Sequence, residues 1–320
     1  MNYKVYLSSS SKAKSLKAVT EPCLVAIEPD DFTAKQVAEL KKKGYTVLGY
    51  ISIGSVSDER DYYMKLKPYT LGRLEDWEHE KYLDIRNDAV KKWAKSRAKE
   101  IAAMGFDGLW VDNLDVYEYY KSPELFNAIV EALNSLKSIA GYIMINGGSE
   151  FISELITKKD VLYRVQIGAF GSKKNAQYQK SIVKNKGFDA IVVQDGGYYK
   201  VQVGAFSKKD NAEARLNEIK KSGFENAIIV EKKTNYNCVD GYTQEEVFSL
   251  IVDYSGKGKF SKQSSEDSNH YKEVISNVRK NRINTFLLEY TRDKAIKEKI
   301  MLYCRDNGIT GYYISEDVNL

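Results

Sequence analysis

The stretch Gly105-Phe-Asp-Gly-Leu-Trp-Val-Asp112-Asn-Leu-Asp115-Val-Tyr117 decides the fold. Gly105 stops a helical pattern that opens at Asp88, Gly108 to Val111 reads as a short buried strand, and acidic residues follow at once. Apolar runs of this kind recur at Cys23 to Ile27, Thr46 to Ile53, Tyr82 to Ile85, Tyr142 to Ile145, Cys238 to Thr243, Thr285 to Glu289 and Gly311 to Ser315. Amphipathic helical segments separate them, with starts at Asp31-Phe32-Thr33, Pro123 and Asp293. Strand alternating with helix is the pattern of a parallel sheet with crossovers, and eight runs predict an α/β fold, a (β/α)8 barrel of TIM type. Tyr82 to Ile85 is the shortest run. The polar loop before it, Ser55 to Lys81, is predicted to overhang the barrel mouth.

Between the fifth and sixth runs the chain repeats itself. Tyr163-Arg-Val-Gln-Ile-Gly-Ala-Phe170 is echoed by Tyr199-Lys-Val-Gln-Val-Gly-Ala-Phe206, and Ala190-Ile191-Val192 by Ala227-Ile228-Ile229. Each half reads strand, helix, strand. The resulting βαββαβ pattern predicts an inserted ferredoxin-like α+β domain over 161–234, within a discontinuous barrel over 1–160 and 235–320. Alternation places Val165, Ile167 and Ala169 on one strand face and Gln166, Gly168 and Phe170 on the other, so Gln166 and Gln202 are expected on an open face. The insert lies in a helix-to-strand connection, which in a barrel is the end away from the mouth.

Composition sets limits. With 43% hydrophobic and 29% charged residues the chain has material for a sizeable core and is not of disordered type. The net charge of +5 falls on the repeat segment, which suits an anionic polymer as partner. Three scattered cysteines form no disulfide framework, and two histidines outside any ligand spacing give no metal site and no cofactor. Met1 to Val19 lacks the apolar stretch of a secretory signal and no run reaches membrane-helix length, so no membrane insertion is expected and the export route is unassigned. The repeat strands lack the basic, stacking-aromatic signature of an RNA-binding sheet, which argues against a nucleic-acid partner.

Acidic residues gather where the runs end: Glu28 and Asp30, Asp112 and Asp115, Glu245 and Glu246, Glu289, Glu316 and Asp317. Such ends line the mouth of a barrel, and a cluster of carboxylates without histidine, cysteine or phosphate-loop partners suits glycosidic chemistry. The quoted stretch resembles glycoside hydrolase family 114, the endo-α-1,4-polygalactosaminidase-like barrels. So do Ile27-Glu-Pro-Asp30-Asp-Phe32, Tyr50-Ile-Ser-Ile-Gly54, Asn146-Gly147 and Val239-Asp-Gly-Tyr-Thr-Gln-Glu245-Glu-Val-Phe248. The resemblance implies Asp112 and Glu245 as catalytic residues. Glu28, Asp30, Tyr50, Asn113, Asp115, Tyr117, Asn146 and Glu289 are expected around the sugar. The chain departs from the family at Ser55, where many members have a glutamate, and at Glu28, where an aspartate is common. The repeat resembles the SPOR domain, implying peptidoglycan glycan strands as a partner through Gln166, Phe170, Gln202 and Phe206.

The expected function is hydrolysis of an α-linked galactosamine-rich or related wall or biofilm polysaccharide, at the cell wall or outside the cell, with lytic release or cytoplasmic accumulation as other routes. Two alternatives stand beside it: a non-catalytic glycan-binding protein, favoured if Ser55 removes a needed carboxylate, and a peptidoglycan-degrading lysin.

Overall fold

The computed structural model describes residues 1–320 except residues 75, 76 and 78 and the side chain of residue 160. The chain divides into two compact units, Met1–Thr157 with Asn237–Leu320, and Lys158–Tyr236.

In the first unit, β1 (Asn2–Tyr6), β2 (Cys23–Ile27) and β3 (Tyr45–Ser52) pair in parallel. The chain then leaves for a separate antiparallel sheet of β4 (Ser55–Ser57), β5 (Thr70–Arg73) and β6 (Glu80–Leu83), ordered β4-β6-β5. It returns as β7 (Gly108–Asp112) and β8 (Ile143–Asn146). The second unit holds β9 (Asp160–Phe170), β10 (Ile191–Asp195), β11 (Tyr198–Phe206) and β12 (Ile228–Thr234). The first unit resumes with β13 (Gly241–Glu245), the hairpin β14 (Ser249–Asp253) and β15 (Lys259–Lys262), then β16 (Asn284–Tyr290) and β17 (Gly311–Ser315). Eight strands, β1-β2-β3-β7-β8-β13-β16-β17, form one all-parallel sheet curled into a nearly closed TIM-type barrel. Gly311 serves the seam between β1 and β17, since a Cβ there would come within 2.8 Å of the Met1 carbonyl oxygen.

One predicted strand is corrected. Tyr82 to Ile85 is no barrel strand; its first residues end β6 of the excursion sheet, and the missing barrel strand is β1. The other seven runs lie in the barrel. The helices between them begin on side-chain caps that satisfy orphan N–H groups: a reciprocal Thr33–Gln36 box, Asn87, Ser122 and Asp293.

Strand parity fixes what faces the barrel interior. Tyr3, Val5, Leu24, Ala26, Leu48, Trp110, Met144, Phe286, Leu288 and Tyr290 form one buried cluster. The Trp110 indole donates to the Tyr3 hydroxyl at 2.7 Å, and that hydroxyl lies 3.1 Å from Thr243 Oγ1, so the polar tips of this core are paired. Continuing the same parity to the strand ends brings Glu28, Tyr50, Ser52, Asp112, Asn146 and Glu245 to the mouth.

The second unit is an antiparallel sheet ordered β10-β11-β9-β12, with the two repeated strands central as predicted. Helices Lys173–Asn185 and Lys209–Lys221 pack on Val165, Ile167, Val201 and Val203. Gln166 and Gln202 stand directly across from each other, flanked on the edge strands by Ile228 and Ile191. The register shifts between Val201 and Gln202 and again between Val203 and Ala205. Each irregularity reverses the alternation beyond it. Phe170 and Phe206 therefore pack over Gly168 and Gly204 against the apolar core, instead of sharing the face of the glutamines as strand parity alone predicts.

Candidate active site

Three neighbouring strands, β7, β8 and β13, deliver Asp112, Asn146 and Glu245 to one point. Asn146 Nδ2 donates to Asp112 Oδ1 at 2.9 Å and to Glu245 Oε1 at 2.5 Å. Tyr290, at the end of β16, donates its hydroxyl to the other Glu245 oxygen at 3.0 Å. Each of these strands turns away through left-handed backbone directly after its functional residue: Asn113 at φ 63°, Gly147 at φ 63° and Glu246 at φ 56°. Left-handed backbone is costly for a glutamate, and the cost is tolerated where the fold must aim the preceding side chain. Gly54 completes the frame, because a Cβ there would overlap the Asn113 carbonyl oxygen at 1.7 Å.

Burial and mutual repulsion govern the charges. Asp112 is pushed up to about 8, first by desolvation and then by Glu245, against the hydrogen bond from Asn146. Glu245 rises to about 7, again chiefly by desolvation, with Asn146 and Tyr290 pulling the other way. Asp115 rises to about 6 by burial, although the Tyr82 hydroxyl donates to it at 2.8 Å. A pair of carboxyl groups so placed holds a proton near neutral pH while its partner ionises, the requirement of an acid beside a nucleophile or base.

The other predicted residues separate into those at this point and those elsewhere. Asn113 donates to Ser52 Oγ and Ser55 Oγ at 2.9 and 2.7 Å. Tyr50 is tilted against Trp110 with the Arg60 guanidinium 5.8 Å above its ring. Glu28 is buried and accepts from Arg60 at 2.6 Å; Asp30 pairs with Arg97 at 2.5 Å, so both carboxylates are occupied by cations. Tyr117 is fully buried between Phe126 and Phe151, and its hydroxyl goes to Glu154. Glu289 lies on the strand face opposite Leu288 and Tyr290, where it accepts from Phe248 N, Ser249 N and Ser249 Oγ. Burial raises it to about 7 there, and its contacts fasten the turn that carries Glu246 into the hairpin. Tyr117 and Glu289 are thus not brought to the carboxylate pair.

Two residues at the mouth were missed. Tyr290 follows from the parity of Phe286 and Leu288, but the charge of Glu289 beside it is the louder signal. Glu80 arrives from β6 and accepts from Ser55 Oγ at 2.6 Å. Ser55 has no carboxylate of its own but is bonded to one. In the second unit, Gln202 accepts from Arg164 at 2.9 Å, and Ile191 and Ile228 are about half exposed beside the two glutamines. The repeat pairs those isoleucines at equivalent positions, which was the available signal.

Among the described residues, no group of three or more His, Cys, Asp or Glu side chains is placed to hold a metal ion, and no helix is long and apolar enough to cross a membrane. The model of glycoside-hydrolase family GH114 matches residues 3–147, and the SPOR domain model matches residues 146–194 and 159–231. The glycoside hydrolase domain of PelA from Pseudomonas aeruginosa is 12% identical at a TM-score of 0.61, covering 100% of this chain and 96% of that one. Aspergillus fumigatus Ega3, solved in complex with galactosamine, is 14% identical at a TM-score of 0.55, covering 100% and 92%. The peptidoglycan-binding domain of the B. subtilis cell wall lytic enzyme CwlC is 50% identical over 22% of this chain and 90% of that one, at a TM-score of 0.21. Among curated proteins none matches. Both resemblances read from the sequence are met, and together they support a glycoside hydrolase on a TIM-type barrel that carries a SPOR domain.

Proposed function

We propose, for a chain with a GH114-like barrel and a SPOR domain, that it cleaves an α-linked galactosamine-rich polysaccharide with retention of configuration while the SPOR unit holds it on peptidoglycan. Asp112 and Glu245 are the reacting carboxyl groups. The observation that carries this reading is the shared Asn146 amide nitrogen. Its two bonds hold the nearest carboxyl oxygens no more than about 5.4 Å apart, which favours the close carboxyl spacing of about 5 to 5.5 Å in retaining glycosidases over the 6.5 to 9.5 Å that leaves room for a water.

In the first step one carboxylate attacks the anomeric carbon while the protonated partner gives its proton to the departing glycosidic oxygen, and a glycosyl ester forms. In the second, that partner takes a proton from water, the water oxygen replaces the ester, and the nucleophile leaves as carboxylate. Asn146 holds the pair in line and donates to whichever member is anionic, and Tyr290 adds a second donor to Glu245. Reducing-end release from α-1,4-linked polygalactosamine tests the activity, and the anomer first formed, followed by NMR, tests the stereochemistry. Asp112→Asn and Glu245→Gln are each expected to lower kcat by about a thousandfold. Turnover within tenfold of the parent in both, with folding intact, would remove this assignment.

A further inference from the structure

We infer that Tyr119 and Trp77 are aromatic platforms on which sugar rings stack away from the bond that is cut, so that the protein grips a chain of several units and favours long polymers over short oligosaccharides. This deepens the proposed function and rests on it.

Among the described residues of the first unit, the aromatic side chains left exposed are Trp77 at 49%, Tyr119 at 59% and Tyr312 at 37%. Tyr312 is at the start of β17, the strand end away from the mouth. The other two are on the mouth side, and both are tied to the excursion sheet. A lone exposed ring is ordinary, so the weight lies on how these two are held.

Tyr119 closes the short helix Val116–Tyr119 that follows β7. Its ring lies on that of Tyr82 at 5.2 Å and 34°, an offset stack that leaves more than half of the residue in water. Tyr82 is itself buried, meets Tyr120 edge-on at 5.8 Å and donates to Asp115 at 2.8 Å. Around the same helix, Glu118 accepts from Ser149 Oγ at 3.1 Å and Lys121 pairs with Glu150 at 2.7 Å. Tyr117 turns into the core, so the tyrosine of this helix that a sugar can meet is Tyr119. One turn and one short helix join Asp112 to Tyr119, which keeps the ring within a few sugar units of the carboxyl pair.

Trp77 stands in the turn between β5 and β6, where its carbonyl accepts from Glu80 N at 2.9 Å. Its indole meets the Tyr254 ring at 5.2 Å and 61°, in edge contact. Tyr254 directly follows β14, and that hairpin is braced by the Asp253–Lys259 pair at 2.7 Å and by Arg292, which donates to the Lys257 and Gly258 carbonyls at 2.6 and 3.1 Å. The excursion continues β3 and the hairpin continues β13, while β7 and β8, with Asp112 and Asn146, stand between them in the barrel sheet. The contact of Trp77 with Tyr254 therefore spans the rim over the arc that holds the carboxyl pair. A pyranose ring has a face of C–H bonds that packs on an aromatic ring while its polar substituents stay in water. Neither platform demands a charge or a particular substituent. What they select is chain length.

The test separates these platforms from the point of cleavage. Full-length Asp112→Asn, alone and with Tyr119→Ala, Trp77→Ala or both, is titrated calorimetrically with an α-1,4-linked galactosamine octasaccharide and with the disaccharide. Each alanine is expected to weaken octasaccharide binding about fivefold to tenfold, and the two together about thirtyfold or more, with disaccharide binding changed by about twofold at most. Tyr119→Phe keeps the ring and is expected to restore most of what Tyr119→Ala loses. Equal losses on the two ligands would make these rings braces of the mouth and overturn the inference. So would unchanged octasaccharide binding, no octasaccharide binding to Asp112→Asn alone, or a loss in Tyr119→Phe as large as that in Tyr119→Ala. If ring-dependent binding of the octasaccharide appears but the parent protein releases no reducing ends, hydrolysis fails while the assignment of Tyr119 and Trp77 stands.

Discussion

The barrel mouth and the glutamine row of the second unit are both built from the middle of a sheet, and they treat polar groups in opposite ways. At the mouth, Asp112 and Glu245 are taken out of water, pressed together and pinned by Asn146 and Tyr290. On the second unit the central pair is two neutral amides, with half-exposed isoleucines at either side. Gln166 Oε1 and Arg164 Nε are buried there without hydrogen-bond partners among the described residues. Bond-breaking needs charge desolvated and fixed before substrate arrives, because reorganising it during reaction adds to the barrier. Holding a polymer needs a shallow surface with apolar flanks and spare hydrogen-bonding capacity, whose groups are satisfied when ligand arrives. The contrast supports two separable jobs.

Removing a positioning bond at the mouth gives the larger effect. Tyr290→Phe deletes one donor to Glu245 and little volume. A bond to a charged group contributes about 1.5 to 3 kcal/mol, so kcat is expected to fall about 10- to 100-fold with KM nearly unchanged. The same variant should leave retention on sacculi intact; a loss there would erase the separation. In the second unit, Gln166→Ala with Gln202→Ala is expected to weaken retention on peptidoglycan stripped of stem peptides by about tenfold, two neutral bonds' worth. Cleavage of soluble polymer should stay within twofold. Unaltered retention would move the binding surface off this face.

Much of this contrast was legible in the chain. Asp112, Asn146 and Glu245 each end an apolar run at interior parity, and the repeat announced its two central strands. The error over the third strand has a physical origin. β1 is an end strand of the barrel sheet, and its residues alternate exposed Asn2, buried Tyr3, half-buried Lys4 and buried Val5. It lacks the unbroken apolar run of a strand covered on both faces. Tyr82 and Leu83 are fully inside and imitate one. Glu80 was out of reach for a related reason, since its place depends on the register of an excursion sheet that local periodicity does not encode. The two phenylalanines were misplaced by irregularities in strand pairing, which leave no mark in a two-residue period.

The smallest expected effect is on stability, and it sharpens the comparison through its sign. Asp112 is raised in the folded barrel, so folding favours its protonated form. Its contribution is complete below the unfolded value near 3.8 and is lost as pH climbs through about 8. Glu245 and Asp115 act in the same direction. In the second unit the resolved carboxylate shift is the reverse: Asp195, exposed and 2.7 Å from Lys200, is lowered, so what it adds is present above its unfolded value and lost only in acid. Asparagine at position 112 keeps the shape and cannot ionise. Asp112→Asn should therefore exceed the parent's melting temperature by more at pH 9 than at pH 5, the gap growing by about 1 to 2 kcal/mol or a few degrees. Calorimetry of the full chain at the two pH values reads this directly. A stabilisation equal at both would mean that Asp112 is not held protonated by the fold, and the acid-base reading of the mouth would lose its physical basis while that of the glutamine face would not.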